Sequence, residues 1–234
     1  MAQEYKVVLL VLGAFALSGI LSFWLTPHVS EFAHKVGAMD VPRDSRRMHK
    51  KPIPRMGGLA IFMGFMAALM IFGKLDAQML SILLGAMIIV VLGIFDDIVA
   101  LGAKFKFCIQ IIAAAIPVCI GGLKIEFFTS FNPFSSDPYF SLGILSIPVT
   151  IIWIVGITNA VNLIDGLDGL AAGVSSIAAM TMLAVGLLTN EIMVAITMAA
   201  LAGACIGFLP FNFNPAKIFM GDTGSTFLGF MLAT

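Results

Sequence analysis

Charge is what this sequence has least of. Only 11% of its 234 residues are Asp, Glu, Lys or Arg, where a soluble domain carries about 25%. With 60% of the residues hydrophobic, that deficit excludes water as the main solvent of the chain. The formal net charge is zero, which removes any bulk attraction to nucleic acid, so no nucleic-acid partner is expected. Cysteine is scarce as well. Cys108, Cys119 and Cys205 lie in apolar stretches without paired spacing, which argues against a disulfide framework or a zinc site and for buried thiols. No internal repeat and no stretch of soluble-domain composition is present.

What the chain does have is long apolar runs. A spanning helix needs about 20 mostly apolar residues. Seven stretches qualify, roughly Tyr5–Thr26, Gly57–Gly73, Met79–Phe95, Phe105–Gly122, Leu142–Ala160, Leu170–Thr189 and Ile192–Phe211. An eighth begins near Ser225 and is cut off at Thr234. The expected fold is therefore all-α, a polytopic transmembrane helix bundle of about eight helices. The first stretch exceeds the apolar core of a signal peptide and no small-residue cleavage site follows it, so it is expected to be a retained helix.

The basic residues divide unevenly between the two ends of these helices. Ten of the thirteen Lys and Arg fall on one side: Lys35, Arg43, Arg46, Arg47, Lys50, Lys51, Arg55, Lys104, Lys106 and Lys217. Lys6, Lys74 and Lys124 fall on the other. The positive-inside tendency makes the rich side cytoplasmic and puts the N-terminus outside. The segment Lys124–Ser141, with Asn132-Pro133 and Asp137-Pro138, is then an outer loop of turns.

Within these stretches the helix centres lack ionisable residues. The acids gather where the stretches end on the basic side, which points to one composite site at the cytoplasmic interface. Asp96 and Asp97 close the third stretch. There the helix dipole disfavours anions and the two carboxylates repel each other, so a cation or a proton-transfer task would account for the pair. In Asn159-Ala-Val-Asn162-Leu-Ile-Asp165-Gly-Leu-Asp168-Gly a polar group recurs every third residue. On a continuous helix all four would share one half of the surface, where amides and carboxylates suit a hydrated metal or a phosphate-bound one. Asp222, in Met220-Gly-Asp-Thr-Gly-Ser225, precedes the eighth stretch and reads equally as a helix cap or as a metal ligand. The loop from Pro42 to Gly58 reads as a topology signal, as a clamp for a diphosphate, or as both.

Taken in order, several of these segments resemble the polyprenyl-phosphate N-acetylhexosamine-1-phosphate transferases of bacterial membranes. The resemblance rests on His49-Lys-Lys-Pro-Ile-Pro-Arg-Met-Gly-Gly58, Gly93-Ile-Phe-Asp-Asp97, Lys106 with Gln110, Asn159 through Gly169, and Phe211 through Ser225. It runs from about Pro27 to the end of the chain. The Pro-Arg-Met-Gly-Gly form looks like the N-acetylglucosamine branch, in particular the enzymes that initiate teichoic acid synthesis.

The resemblance implies transfer of N-acetylglucosamine 1-phosphate from UDP-N-acetylglucosamine to undecaprenyl phosphate, with release of UMP. The site would lie on the cytoplasmic face of the bacterial plasma membrane and use Mg2+, with Mn2+ as an alternative. It implies catalytic roles for Asp96, Asp97, Asp165 and Asp168, substrate contacts for Lys106, Asn159, His49 and Arg55, and metal ligation by Asp222 and Asn162. Partners would be the lipid phosphate, the sugar nucleotide and the bilayer, with a homodimer left open. The whole chain would form one membrane transferase domain, C-terminally incomplete relative to the family, which continues with further helices and a His- and Arg-bearing cytoplasmic loop. Two alternatives stand beside this reading: a phospho-N-acetylmuramoyl-pentapeptide transferase, and a membrane transporter.

Overall fold

Among the described residues the apolar stretches form eight helices, and small residues set how closely they pack. A computed structural model describes residues 2–42, 51–129 and 139–234. The helices are α1 Ala2–Val36, α2 Gly58–Phe72, α3 Ala77–Val99, α4 Ala103–Cys119, α5 Ser146–Ile164, α6 Leu170–Leu188, α7 Ile192–Asn212 and α8 Gly221–Ala233. Two short antiparallel pairs complete the described structure. Strand β1 (Met39–Asp40) pairs with β2 (Ile53–Pro54), and β3 (Phe127–Thr129) pairs with β4 (Tyr139–Ser141). The second hairpin falls within the expected outer loop, whose Asn132-Pro133 and Asp137-Pro138 lie outside the described residues.

The all-α bundle agrees with the sequence expectation, and the helix lengths refine it. Among the described residues, five helices are long and apolar enough to cross a membrane: α1, α3, α6, α7, and α5 together with the short 3-10 turn before it. With 15 residues, α2 is about 22 Å long, less than a bilayer's apolar core of roughly 30 Å. Several helices also run past their purely apolar stretch. α1 continues through Pro27 to Val36. α3 continues through the acidic pair to Val99, so Asp96 and Asp97 belong to its last turn. Its other end is capped locally, Asp76 accepting a hydrogen bond from the Met79 amide at 2.9 Å.

α7 is enclosed on most sides, packed by α1, α2 and α6, while α8 lies against α3 and α5. The crossing of α1 and α7 depends on missing side chains. A Cβ on Gly203 would stand 2.2 Å from the Phe15 carbonyl oxygen, and one on Gly207 would stand 2.2 Å from that of Gly19. Where lipid replaces water outside the bundle, such backbone contact is a main source of helix association. The outer faces carry Leu9, Phe23, Trp24, Met87, Val91, Phe107, Ile152, Trp153 and Ile177, all exposed, as helices in hydrocarbon require. Cys108 and Cys119 also lie exposed, and only Cys205 is buried as expected of all three.

Alternating helix directions bring one end of the bundle together: the C-termini of α1, α3, α5 and α7 and the N-termini of α2, α4, α6 and α8. Every acidic motif of the sequence lies at this end. The Pro54–Gly58 segment is stitched there to residues 219–220, far away in the chain. Phe219 N donates to the Pro54 oxygen at 2.8 Å, Gly57 N to the Phe219 oxygen at 2.9 Å and Gly58 N to the Met220 oxygen at 2.9 Å. A Cβ on Gly58 would fall 2.0 Å from Gly224 Cα. The double glycine thus lets the N-terminus of α8 lie directly on that of α2.

Candidate active site

Four helix ends deliver the polar groups. The last turn of α3 supplies Asp96 and Asp97, the first turn of α4 supplies Lys106, the last turn of α5 supplies Asn162, and the first turn of α8 supplies Asp222. At the centre, Lys106 Nζ bridges two carboxylates, 3.0 Å from Asp96 Oδ2 and 2.8 Å from Asp222 Oδ2. Asn162 Nδ2 donates to Asp222 Oδ1 at 3.2 Å and to Ser225 Oγ at 2.8 Å. Asp96 Oδ1 accepts from the Leu101 amide at 2.7 Å. Arg55 enters from the segment before α2. Its Nε and Nη2 lie 3.0 and 2.9 Å from Asp97 Oδ1, and Nη2 lies 3.8 Å from Asp222 Oδ1.

The Asn159–Asp168 run is not one helical face. α5 ends at Ile164 with Asp165 as its cap, so the residues spaced by three diverge. Asn159 points back into the bundle, donating to Gln110 Oε1 at 2.7 Å, and Gln110 itself is buried. Asp168 faces the other way, where its Oδ2 accepts from Asn214 Nδ2 and the Ala216 amide, both at 3.0 Å. Of the predicted site residues, the structure therefore groups Asp96, Asp97, Lys106, Asn162, Asp222 and Arg55 by direct contact. Asp165 feels the same cluster through its field, and Asn159 and Asp168 sit at the margins. His49 lies outside the described residues.

Residues missed by the sequence reading fill the spaces between. Ser225 orients Asn162, and Thr223 binds Asp97 through its hydroxyl at 2.6 Å. Asn212 joins the two loops, accepting from the Gly169 amide at 3.1 Å and donating to the Ile218 oxygen at 2.9 Å. The signal for these was present in the polar residues of Phe211-Asn-Phe-Asn and Asp222-Thr-Gly-Ser, but their partners are remote in sequence.

Asp165 carries an electrostatic signature of the site. Burial, then the charges of Asp222 and Asp97, push its carboxyl from the ordinary 3.8 up to about 7, with Arg55 opposing. The folded chain therefore holds this proton across a pH range in which the unfolded chain releases it. Asp165 favours folding most below about pH 4, and that contribution declines as pH rises towards 7. Metal-free protein in detergent should accordingly lose thermal stability between about pH 4 and 7, and Asp165→Asn should flatten the decline. Identical slopes in both proteins would remove Asp165 as its source.

A divalent cation fits this donor set. Among the described residues the carboxylates of Asp96, Asp97 and Asp222 face two cationic side chains, Lys106 and Arg55, so negative charge is in excess, and Asp165 adds to it once it ionises. Among the described residues no three Asp, Glu, His or Cys side chains form a complete metal cage. Magnesium ordinarily uses one or two carboxylates and keeps water or substrate phosphate in its other positions. Asp222 and the side-chain carbonyl oxygen of Asn162 are hard donors of that kind, and Asn162 Oδ1 accepts no hydrogen bond among the described residues, while the Nδ2 beside it donates to Asp222 and Ser225.

Comparison with known proteins adds an independent line. The sequence model of the family described as "Glycosyl transferase family 4" matches residues 79–234. A Bacillus subtilis (strain 168) relative described as "Probable undecaprenyl-phosphate N-acetylglucosaminyl 1-phosphate transferase" is 45% identical over 221 residues, covering 94% of this chain and 60% of its own length. A Mycobacterium tuberculosis (strain ATCC 25618 / H37Rv) "Decaprenyl-phosphate N-acetylglucosaminephosphotransferase" is 38% identical over 255 residues, covering 100% of this chain and 62% of its own length. A "Phospho-N-acetylmuramoyl-pentapeptide-transferase" of Clostridium beijerinckii (strain ATCC 51743 / NCIMB 8052) is 33% identical over 236 residues, with 96% and 72% covered. The chain thus spans about three-fifths of the length of the first two relatives.

Proposed function

Because the chain belongs to glycosyl transferase family 4, we propose that it transfers N-acetylglucosamine 1-phosphate from UDP-N-acetylglucosamine to undecaprenyl phosphate. A lipid-phosphate oxygen forms a bond to the β-phosphorus of the donor. The bond from that phosphorus to the bridging oxygen breaks, and UMP leaves with the bridging oxygen. The products are the lipid diphosphate sugar and UMP, the first membrane step of a cell-wall polymer such as teichoic acid.

The observation that carries this reading is the Lys106 bridge between Asp96 and Asp222 at the end of an apolar bundle. An acceptor of this kind is a long lipid whose phosphate rests at the membrane surface, and its partner is a soluble anion. Phosphoryl transfer between two such anions needs positioning and charge neutralisation more than covalent chemistry by the protein. Lys106 has three N–H donors, of which two are used by the carboxylates, so one is left for a phosphate oxygen. Asp96 shares the Lys106 ammonium at 3.0 Å and is suited to take the acceptor's proton. Asp165 and Asp168 border the cluster on the side of the loop after α5, a position suited to donor contacts. Asp222 and Asn162 would hold a magnesium ion, which when bound supplies neutralising charge between the phosphates.

The basic asymmetry of the loops supports a cytoplasmic site in the bacterial plasma membrane. A transporter would be expected to present polar groups near the bilayer midplane, whereas the acidic and basic residues described here lie towards helix ends and in loops. The test is UMP release by purified chain in detergent with both substrates and magnesium. Release that requires lipid and stops with chelator is the expected result. Release that ignores lipid would overturn the reading, and preference for a UDP-N-acetylmuramoyl-pentapeptide donor would move it to that branch.

A further inference from the structure

We propose that Asp97 is a positioning residue: its carboxylate serves as the N-terminal cap of α8 and acts on the reaction through Asp222. The proposal builds on the transferase reading above and changes the role that the sequence implies for the second acid of the pair.

The first turn of any helix has amides without intrahelical acceptors, and the residue before it ordinarily supplies one. α8 has Met220 in that place and no side-chain cap bond. Its orphan amides are met from α3 instead. Asp222 N donates to Asp97 Oδ1 at 3.0 Å, and Thr223 N donates to Asp97 Oδ2 at 3.1 Å. The Thr223 hydroxyl donates to the same Oδ2, and Arg55 closes the remaining side of Oδ1. Two groups that would be unfavourable alone thereby satisfy each other, since the anion at the C-terminus of α3 rests on the positive end of α8.

The shape of the junction is built for this contact. Gly221 has φ +73°, and a Cβ there would stand 2.4 Å from Asp97 Oδ2. One turn earlier on α3, a Cβ on Gly93 would stand 2.4 Å from Thr223 Cα. The Asp97 side chain has no exposed surface, while that of Asp222 keeps 18%. A carboxylate offers about four lone-pair sites, and those of Asp97 already meet five donor atoms. Nothing is left for a substrate phosphate or a transferred proton. Asp222, by contrast, follows directly from the captured amide, so the direction of its carboxylate depends on where Asp97 holds the turn.

Hydrogen–deuterium exchange over residues 219–226, together with turnover, tests the proposal. Asp97→Ala should speed exchange of this segment by about ten-fold, the effect of losing roughly one cap's stabilisation. Asp97→Asn, which keeps an acceptor, should fall between. Asp222→Asn leaves the cap in place and should leave exchange within about two-fold of the parent protein. In the turnover assay the Asp97 variants should need more magnesium for half-maximal rate, and high magnesium should recover part of the loss. A residue acting on the reacting atoms would instead lose kcat at every magnesium concentration while exchange stayed unchanged, and that pair of results would overturn the proposal. Should Asp97→Ala fail to fold, Asp97→Asn carries the test, because it removes one of the two carboxylate oxygens that receive the amides, and exchange there equal to that of the parent would overturn the proposal. If the parent protein released no UMP, the transferase reading would fall while the exchange results still decided the cap.

Discussion

Asp222→Asn should lower lipid-dependent UMP release on the order of 10³-fold, about 4 kcal/mol of transition-state stabilisation, while the protein inserts and folds normally. The substitution keeps the size of the side chain and leaves both α8 amides on Asp97. What it removes is the negative charge that Lys106 and Asn162 converge on from 2.8 and 3.2 Å. The variant should also lose its response to magnesium, read as the thermal shift on adding the ion. Retained turnover with the usual magnesium dependence would take Asp222 out of the proposed metal site.

Lys106→Ala has the second largest expected effect, and it separates stability from activity. Without the ammonium, the Asp96 and Asp222 carboxylates face each other unneutralised. Breaking a fully buried pair costs about 3–5 kcal/mol. Here the lysine side chain is 26% exposed, so screening should bring the loss down to about 2 kcal/mol. Turnover should fall at least about 10²-fold, because the third N–H of Lys106 goes with the other two. Adding Asp96→Asn to the variant should restore most of the lost stability, since it removes the repulsion, but none of the activity. Magnesium should stabilise Lys106→Ala more than the parent protein, the ion taking over the role of the missing ammonium. Thermal unfolding of the parent, single and double variants in detergent, with and without magnesium, measures both effects. A Lys106→Ala protein as stable as the parent would show that the bridge contributes nothing to folding.

The fold class could be read from the chain because hydrocarbon is an undemanding solvent to predict. Once charge is scarce and apolar runs reach spanning length, every backbone group must be satisfied within a helix, and the eight helices appear where the runs lie. The candidate site was legible as a set for a related reason. Ionisable side chains are expensive inside a bilayer, so their placement at helix ends on one side of the chain marks the end of the bundle where they meet.

Tertiary structure decided how the members of that set divide the work. Asp96 and Asp97 are neighbours of the same type, and nothing local distinguishes them. Yet one turns towards Lys106 and the other into the start of α8, because successive residues of a helix point about 100° apart and face different neighbours. The spacing of three from Asn159 to Asp168 looked like one surface, but the helix stops at Ile164 and the polar groups part company. The sequence by itself determined the solvent of this protein, its helices and the inventory of its polar end. The partner of each polar group came only from tertiary packing, in which α8 lies against α3 and α5 with its N-terminus on that of α2. That packing relies on glycines whose role lies in what a side chain would strike, and such a contact is defined only once remote segments have met.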